Sequence, residues 1–319
     1  MMHFEEVNEL NKIKIIGFVL TLLCFAIVIS AFTLFFMGKI DFFTLWISIP
    51  AAAIISFFAI GSLGKIKRTM VSYVLKQCPD WEKEDKKEEN SLQKVLFSDE
   101  NVFSIILPIY NNKKEDIDIS EVFCHRNDIL RKNIAKIEHK EQKKIIKKDE
   151  NGHENVHYKT IYQFAATMIA VKNPKNLNSV TYFKTNNYPD GTSKKIMEEK
   201  SKLVLPKMEL PNAMKYDIDI YTDNQTVAEK LATQELFETL QNIKKRLNLL
   251  YIKAVFYDDN IFFILRDKNM ETSSAWTFPL FIKISFFNNI DHPLIDQAID
   301  NFTVLTDLAN RALEFTQNI

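Results

Sequence analysis

Two long apolar runs near the start of the chain give the clearest hydrophobic pattern. They cover Ile15–Met37 and Phe42–Gly64, have 23 residues each, and contain no charged side chain. A helix of about 20 apolar residues crosses the hydrocarbon core of a bilayer, and only residues 38–41 separate the two runs. The pattern therefore predicts a transmembrane helical hairpin over residues 15–64, preceded by an N-terminal segment over residues 1–14.

The basic residues around the hairpin predict its orientation. Loops on the cytoplasmic side carry an excess of Lys and Arg. The turn holds only Lys39, whereas five basic residues flank the open end: Lys12, Lys14, Lys65, Lys67 and Arg68. We therefore expect a multi-pass protein of the inner cell membrane with both the N- and C-termini in the cytoplasm. A cleaved signal peptide is a poor alternative, because its apolar core has only about 7–15 residues and follows a basic segment.

The composition of the two runs bears on transport and packing. Ionisable side chains inside a membrane mark ion and proton pathways, so their absence from both runs argues against transport by this chain alone. Small side chains let transmembrane helices approach closely. Such residues form a stripe in the second run that predicts packing of the two spans, or an oligomer contact: Ala51, Ala52, Ala53, Ser56 and Ala59.

The pattern after the hairpin predicts a helical connector over residues 65–100 and a cytosolic domain over residues 101–319. Helical spacing of apolar residues continues after Gly64 until Pro79. The mixed-charge run Trp81–Asn90 is typical of a solvated helix face or a linker. Val102–Tyr110 is apolar and β-branched, which predicts a buried strand.

Strands and helices mix in the domain without strict alternation, which predicts an α+β fold. Apolar and period-2 patterns predict strands at Asn133–Gln142, His157–Val171, Val180–Lys184, Tyr216–Tyr221, Tyr251–Tyr257, Ile261–Arg266 and Pro279–Phe287. The Asn151-Gly152 pair favours a hairpin turn within the polar segment Lys143–Val156. A capping box, Thr226-x-x-Glu229, predicts one amphipathic helix ending near Leu247. A last helix is expected over Pro293–Phe315.

Composition excludes several classes of function. Forty-one basic and 41 acidic residues leave no net charge, so nucleic acid is not an expected partner. Only two of the six glycines lie beyond the hairpin, which excludes a glycine-rich nucleotide loop. The three cysteines are isolated, so neither a disulfide framework nor a zinc site is predicted. His153 and His157 lie in a polar loop where metal ligation is not expected. The sequence predicts no metal or cofactor and leaves the catalytic residues unknown.

One polar junction is a candidate ligand site. It lies between the predicted strand Tyr216–Tyr221 and the start of the amphipathic helix, and consists of Thr222, Asp223, Asn224 and Gln225. A helix N-terminus presents free backbone amides that bind anions. The same residue types also cap helices for purely structural reasons. Both roles are compatible with the sequence.

A basic stretch, Arg131–Lys148, is a candidate lipid contact. It holds eight Lys or Arg residues and two Glu residues. Basic residues close to an anionic membrane surface gain about 1 kcal/mol each. The residues expected to contact anionic lipid headgroups are Lys140, Lys143, Lys144, Lys147 and Lys148. A solvated hairpin without lipid contact is the alternative.

Two segments carry a resemblance to a known family. Tyr221–Thr233 reads YTDNQTVAEKLAT, and Ala254–Leu265 reads AVFYDDNIFFIL. Both resemble segments of the bacterial membrane-protein family defined by domain of unknown function 3137. The resemblance implies two N-terminal spans and a cytosolic α+β domain. One departure lies in the strand Thr160–Ala170, which has Tyr-Gln-Phe-Ala at residues 162–165 where the family has a Phe-Arg-Gly-Leu-like centre.

These patterns lead to a functional hypothesis without a defined chemistry. The resemblance implies no activity, because the family has none assigned. The hypothesis is a membrane-anchored interaction or scaffolding module at the inner face of the membrane. Its expected partners are the lipid bilayer, anionic headgroups and other proteins. The alternative is a membrane-associated enzyme that acts on a small anionic or lipid-linked substrate.

Overall fold

The computed structural model confirms an α+β chain with two long apolar N-terminal helices and an antiparallel sheet domain. It describes residues 4–84, 117–126, 132–148, 154–185, 205–267, 276–277, 282–283, 290–317 and 319. The chain forms two compact units: residues 1–78 with 274–302, and residues 79–273 with 303–319. Residues 79–84 group with the sheet, and residues 290–302 group with the N-terminal helices.

The first unit contains the two helices predicted from the apolar runs. Helix α1 covers Phe4–Phe36 and α2 covers Phe42–Gln77. Both exceed the apolar runs because the polar flanks continue the helical conformation. Their most apolar stretches are mostly exposed. By length and composition, these are the two helices in the described residues that are suited to cross a membrane.

Small side chains hold the two helices together. Ala52 and Ala59 are buried, and the Cys24 thiol contacts the Ser56 hydroxyl at 3.0 Å. Ala52, Ser56 and Ala59 are spaced by four and three residues, so they share one face of α2. Ala51 and Ala53 are exposed. The predicted small-residue stripe is therefore narrower than expected, and its buried part serves packing between α1 and α2.

Side-chain hydrogen bonds fix the turn between α1 and α2 and join α1 to residue 290. The Asp41 carboxylate caps α2 by accepting a hydrogen bond from the Thr44 backbone N–H at 2.8 Å. Asn11 of α1 donates to the Ile290 carbonyl at 2.6 Å and accepts from the Ile290 N–H at 3.2 Å. Residue 290 precedes the last long helix, His292–Arg311.

The second unit is built on an antiparallel sheet of nine described strands in the order β1-β2-β3-β4-β9-β8-β5-β7-β6. The strands are β1 (Trp81–Lys83), β2 (Ile117–His125), β3 (Asn133–Lys148), β4 (Glu154–Lys172), β5 (Val180–Thr185), β6 (Lys207–Met208), β7 (Ile218–Thr222), β8 (Leu249–Tyr257) and β9 (Asn260–Asp267). Two further short strands belong to the first unit and pair with each other, β10 (Trp276–Thr277) and β11 (Ile282–Lys283). The predicted strands at β5, β7, β8 and β9 are confirmed.

Helices cover one face of this sheet. They are α3 (Pro211–Lys215), α4 (Gln225–Leu231), α5 (Gln234–Arg246) and the end of α6 (His292–Arg311), followed by a 3-10 turn at Glu314–Thr316. The Phe237 ring of α5 lies 6.0 Å from the Phe183 ring of β5. The Phe315 ring packs edge-on against Phe263 of β9 at 6.4 Å. The final helix was expected to continue to Phe315. It ends at Arg311 instead, and the separate 3-10 turn follows it.

The prediction of a single helix from Thr226 to Leu247 is wrong. The first helix begins at Gln225 with Asn224 as its N-cap, so Thr226 does not start a capping box. The helix stops at Leu231, and Thr233 then caps α5 by accepting a hydrogen bond from the Leu236 N–H at 3.2 Å. A threonine hydroxyl competes with the helix for backbone hydrogen bonds, and here it restarts the helix instead of continuing it.

Two segments that were not predicted to be strands contain strands in the structure. Trp81–Lys83 pairs with β2 and is a strand, so the predicted helix or linker at Trp81–Asn90 is wrong over this part. The polar segment Lys143–Val156 was expected to be a loop, yet β3 and β4 pair as far as Lys148 and Glu154. Residues 85–90, the predicted strand Val102–Tyr110, the Asn151-Gly152 turn and most of Pro279–Phe287 lie outside the described residues.

Candidate functional site

The predicted polar junction lies where β7 ends and α4 begins. The Thr222 hydroxyl accepts a hydrogen bond from the Asn224 N–H at 2.9 Å and lies 2.8 Å from the Thr181 hydroxyl of β5. The Asn224 side chain accepts from the Val227 N–H at 3.2 Å and so caps α4. Gln225 donates to the Glu229 carboxylate at 3.2 Å.

Asp223 links this junction to β5. Its carboxylate accepts a hydrogen bond from the Val180 N–H at 2.8 Å, and its own N–H donates to the Val180 carbonyl at 3.1 Å. The last backbone pair of β5 and β7 is Thr181 with Thr222. The two hydrogen bonds between Val180 and Asp223 continue this pairing by one residue on each strand. Sequence reasoning could not place Val180 here, because 43 residues separate it from Asp223.

The geometry gives all four candidate residues a structural function. Each of the four side chains has a hydrogen bond within the chain, and α4 has only seven residues. The Val227 amide that an anion would need is already capped by Asn224. The capping interpretation is therefore realised at this junction, and ligand binding by Thr222, Asp223, Asn224 and Gln225 stays a prediction.

We expect Asp223→Ala to destabilise the second unit by about 1–3 kcal/mol, because the buried Val180 N–H loses its acceptor. Asp223→Asn retains an acceptor oxygen at this position and should cost much less. Urea unfolding of the full chain in detergent would measure both changes. Equal losses for the two variants would contradict the proposed role of the hydrogen bond.

The five lysines predicted to contact lipid lie in a two-stranded ribbon. Within the described residues, β2 pairs with β3 as far as His139, and β9 pairs with β4 from Thr167 onward. Beyond those points, residues 140–148 of β3 pair with residues 154–162 of β4. Among the described strands these segments have no other neighbour. At about 3.3 Å per residue, the ribbon extends roughly 30 Å.

The register of the ribbon divides the five lysines between two faces. Successive residues of a strand belong to opposite faces. Lys140, Lys144 and Lys148 therefore share one face, whereas Lys143 and Lys147 belong to the other. Lys159 is opposite Lys143 in the register and joins the second face. The structure thus brings the predicted residues together along one ribbon, with at most three of the five on either face.

A cluster of basic and tyrosine side chains on the sheet was missed by the sequence analysis. It lies on the face opposite the helices and comprises Tyr182, Lys184, Tyr221, Tyr251, Lys253 and Arg266. The Lys253 ammonium lies 4.2 Å from the Tyr182 ring centre, and the Lys184 ammonium lies 5.1 Å from that of Tyr251. The only sequence signal was the alternation of these residues along predicted strands.

This cluster stabilises the sheet at four neighbouring strands. Lys184 is opposite Lys253 on β8 and Asp219 on β7. Asp219 also accepts a hydrogen bond from Lys207 of β6 at 2.6 Å, which raises the pKa of that lysine. Cation–π contacts at desolvated sites contribute up to about 2 kcal/mol each. The Lys253 side chain is only 2% exposed, so the cluster belongs to the interior.

The surroundings of Cys124 do not activate its thiol. Burial, followed by the charges of Glu82 and Glu84, raises the pKa of the Cys124 thiol above its ordinary value. A thiol with a raised pKa is a weak nucleophile at neutral pH. The neighbouring His125 ring packs edge-on against Trp81 at 5.6 Å. Within the described residues, no cluster of three or more His, Cys, Asp or Glu side chains could hold a metal ion.

Comparison with known proteins adds no relative. No protein-family model, curated protein or solved structure matches this chain. The resemblance to the family of domain of unknown function 3137 therefore stays a prediction from the residues at Tyr221–Thr233 and Ala254–Leu265.

Proposed function

We propose that this protein is an anchored interaction module. In this proposal, α1 and α2 cross the inner membrane, both termini lie in the cytoplasm, and the sheet domain recruits or organises protein partners at the inner face. The ribbon formed by residues 140–148 and 154–162 is the observation that carries the proposal. A two-stranded sheet is only marginally stable in water. Packing alone therefore does not account for an extended ribbon, and a binding function does.

The anchoring part of the proposal rests on length, exposure and charge. α1 and α2 expose large apolar side chains along most of their length, including Phe25, Ile29, Phe57 and Ile60. Exposed apolar surface of this extent is unfavourable in water and favourable in a bilayer. The five basic residues at the open end, against Lys39 at the turn, favour cytoplasmic termini.

The recruiting part rests on the backbone of the ribbon. Strand edges carry N–H and C=O groups that pair with an added strand from a partner. Within the described residues, the outer edges of the ribbon have no strand beside them. The ribbon has six lysines against Glu141 and Glu154. We therefore expect an acidic protein segment as the partner, with anionic headgroups as a second contact through lysines of one face.

The enzyme alternative has less support. Its expected site was the junction near Asp223 and Asn224, and both side chains already take part in hydrogen bonds that hold β5, β7 and α4. A stabilising shift in the melting temperature of the full chain with small anions would favour this alternative, since a ligand that binds the folded state raises its stability.

Photo-crosslinking in native membranes tests the module. A photoreactive residue would replace Ile145 in the ribbon, with Lys230 on the exposed side of α4 as the control. We expect protein adducts from position 145 and none of the same mass from position 230. Phospholipid adducts alone would contradict protein recruitment in favour of lipid contact. The absence of adducts at position 145 would contradict an interaction function for the ribbon.

A further inference from the structure

A cavity of about 420 Å³ lies between the first turns of α1 and the last turns of α2. Its polar lining includes Lys65, Arg68, Thr69, Ser72 and Lys76 from α2, and Glu9 from α1. The α2 residues recur at three or four positions, so they share one stripe of the helix. Three cations and one carboxylate give this lining a charge excess of two.

The cavity starts where the apolar part of the hairpin ends. Lys65 directly follows Gly64, the last residue of the second apolar run, and Arg68 lies about 4.5 Å beyond Lys65 along the helix axis. The headgroup layer on each side of a bilayer is roughly 5–7 Å thick. In a membrane-spanning hairpin, Lys65 and Arg68 therefore lie at the depth of the phospholipid phosphates.

The lining has the chemistry of a phosphate site. Arginine matches phosphate oxygens through paired N–H groups, and lysine adds a compact charge. Arg68 uses its Nε–H to contact the Gly64 carbonyl at 3.3 Å, which leaves its terminal N–H groups for a ligand. In the described part of the chain, neither Lys65 nor Lys76 has an ion pair, and both side chains are exposed.

We propose that this cavity binds the phosphate of an anionic phospholipid of the cytoplasmic leaflet, chiefly through Lys65 and Arg68. Thr69 and Ser72 supply hydroxyl donors on the same stripe, and the charge excess favours an anionic headgroup over a zwitterionic one. The inference rests on the membrane insertion proposed above. It gives the helix ends a specific ligand in addition to their function as an anchor.

The test compares two double variants of the full chain in lipid nanodiscs that contain equal amounts of phosphatidylglycerol and phosphatidylcholine. Lys65→Gln with Arg68→Gln removes two charges from the cavity. Lys12→Gln with Lys67→Gln removes two charges from the same end of the hairpin, outside the lining. Native mass spectrometry counts the phosphatidylglycerol molecules that stay bound. We expect about a tenfold loss of affinity in the first variant and less than a twofold loss in the second.

Equal losses in the two variants, or no loss in either, would overturn the inference. Competition with inorganic phosphate in the buffer distinguishes a phospholipid phosphate from free phosphate as the ligand. Displacement of the lipid by equimolar inorganic phosphate would overturn the lipid assignment, whereas retention of the lipid supports it. Resistance to alkaline carbonate extraction is measured first for every variant. A wild-type chain that is extracted contradicts the proposed anchor, whereas an integrated chain without selective lipid loss contradicts only the cavity site.

Discussion

Phe25→Arg together with Ile54→Arg should abolish membrane integration of the full chain. Both side chains lie near the centres of the apolar runs and are 61% and 60% exposed. Each arginine at a span centre costs about 2.5–3.5 kcal/mol for insertion, and each lost Phe or Ile forfeits about 0.3–0.6 kcal/mol. The double variant therefore loses about 6–8 kcal/mol of insertion free energy. Alkaline carbonate extraction, followed by centrifugation, should move it from the membrane pellet to the supernatant.

Phe25→Leu together with Ile54→Leu is the matched control. It changes the same two positions without adding charge, and it should stay in the pellet with the wild type. A double-arginine chain that pellets as completely as the leucine control would contradict insertion of α1 and α2.

Phe263→Ala should be the most damaging single substitution in the sheet domain. Phe263 is fully buried in β9, between Ile169 of β4 and Ala254 of β8, and its ring packs against Phe315. Removal of a buried phenyl ring costs about 3–5 kcal/mol because a cavity remains. That is a large share of the roughly 5–15 kcal/mol that stabilises a typical domain. Pulse proteolysis of the full chain across a urea series would measure the shift in the midpoint.

Met214→Ala provides the control within the same unit. Its side chain is apolar but 63% exposed, so we expect a change within about 0.5 kcal/mol. A midpoint shift for Phe263→Ala no larger than that for Met214→Ala would show that the sheet centre is not the stabilising core of the domain.

The sequence predicted the elements whose pattern is local. β7 alternates buried and half-buried residues, and β8 and β9 are joined by the two residues Asp258 and Asp259. A period of two residues and a short turn fix such strands without reference to distant segments. The hairpin helices are equally local, because long uncharged runs need no partner to be identified.

The elements that depend on distant pairing were not predictable. The polar residues of β3 beyond His139 form a strand because β4 supplies the hydrogen bonds, and no apolar alternation marks it. Trp81–Lys83 becomes a strand only through β2. The helix break at Thr233 was hidden for another reason. Leu231 and Leu236 are both buried, so the apolar face continues across the break.

The candidate site shows the same limit. Sequence alone identified the acceptors at the start of α4, which are local. Their partners Val180 and Thr181 come from another strand, and these contacts favour the structural function. The cavity at the open end of the hairpin also required both helices in place, because Glu9 and Lys65 are far apart along the chain.

Reporter fusions at two positions test the central claim that the hairpin places both termini in the cytoplasm. One fusion follows Ile319, and the other follows Lys39 in the turn between α1 and α2. Each position would carry either green fluorescent protein, which fluoresces in the cytoplasm, or alkaline phosphatase, which is active only outside it. We predict fluorescence without phosphatase activity at Ile319, and phosphatase activity at Lys39. Phosphatase activity at Ile319 would contradict the account.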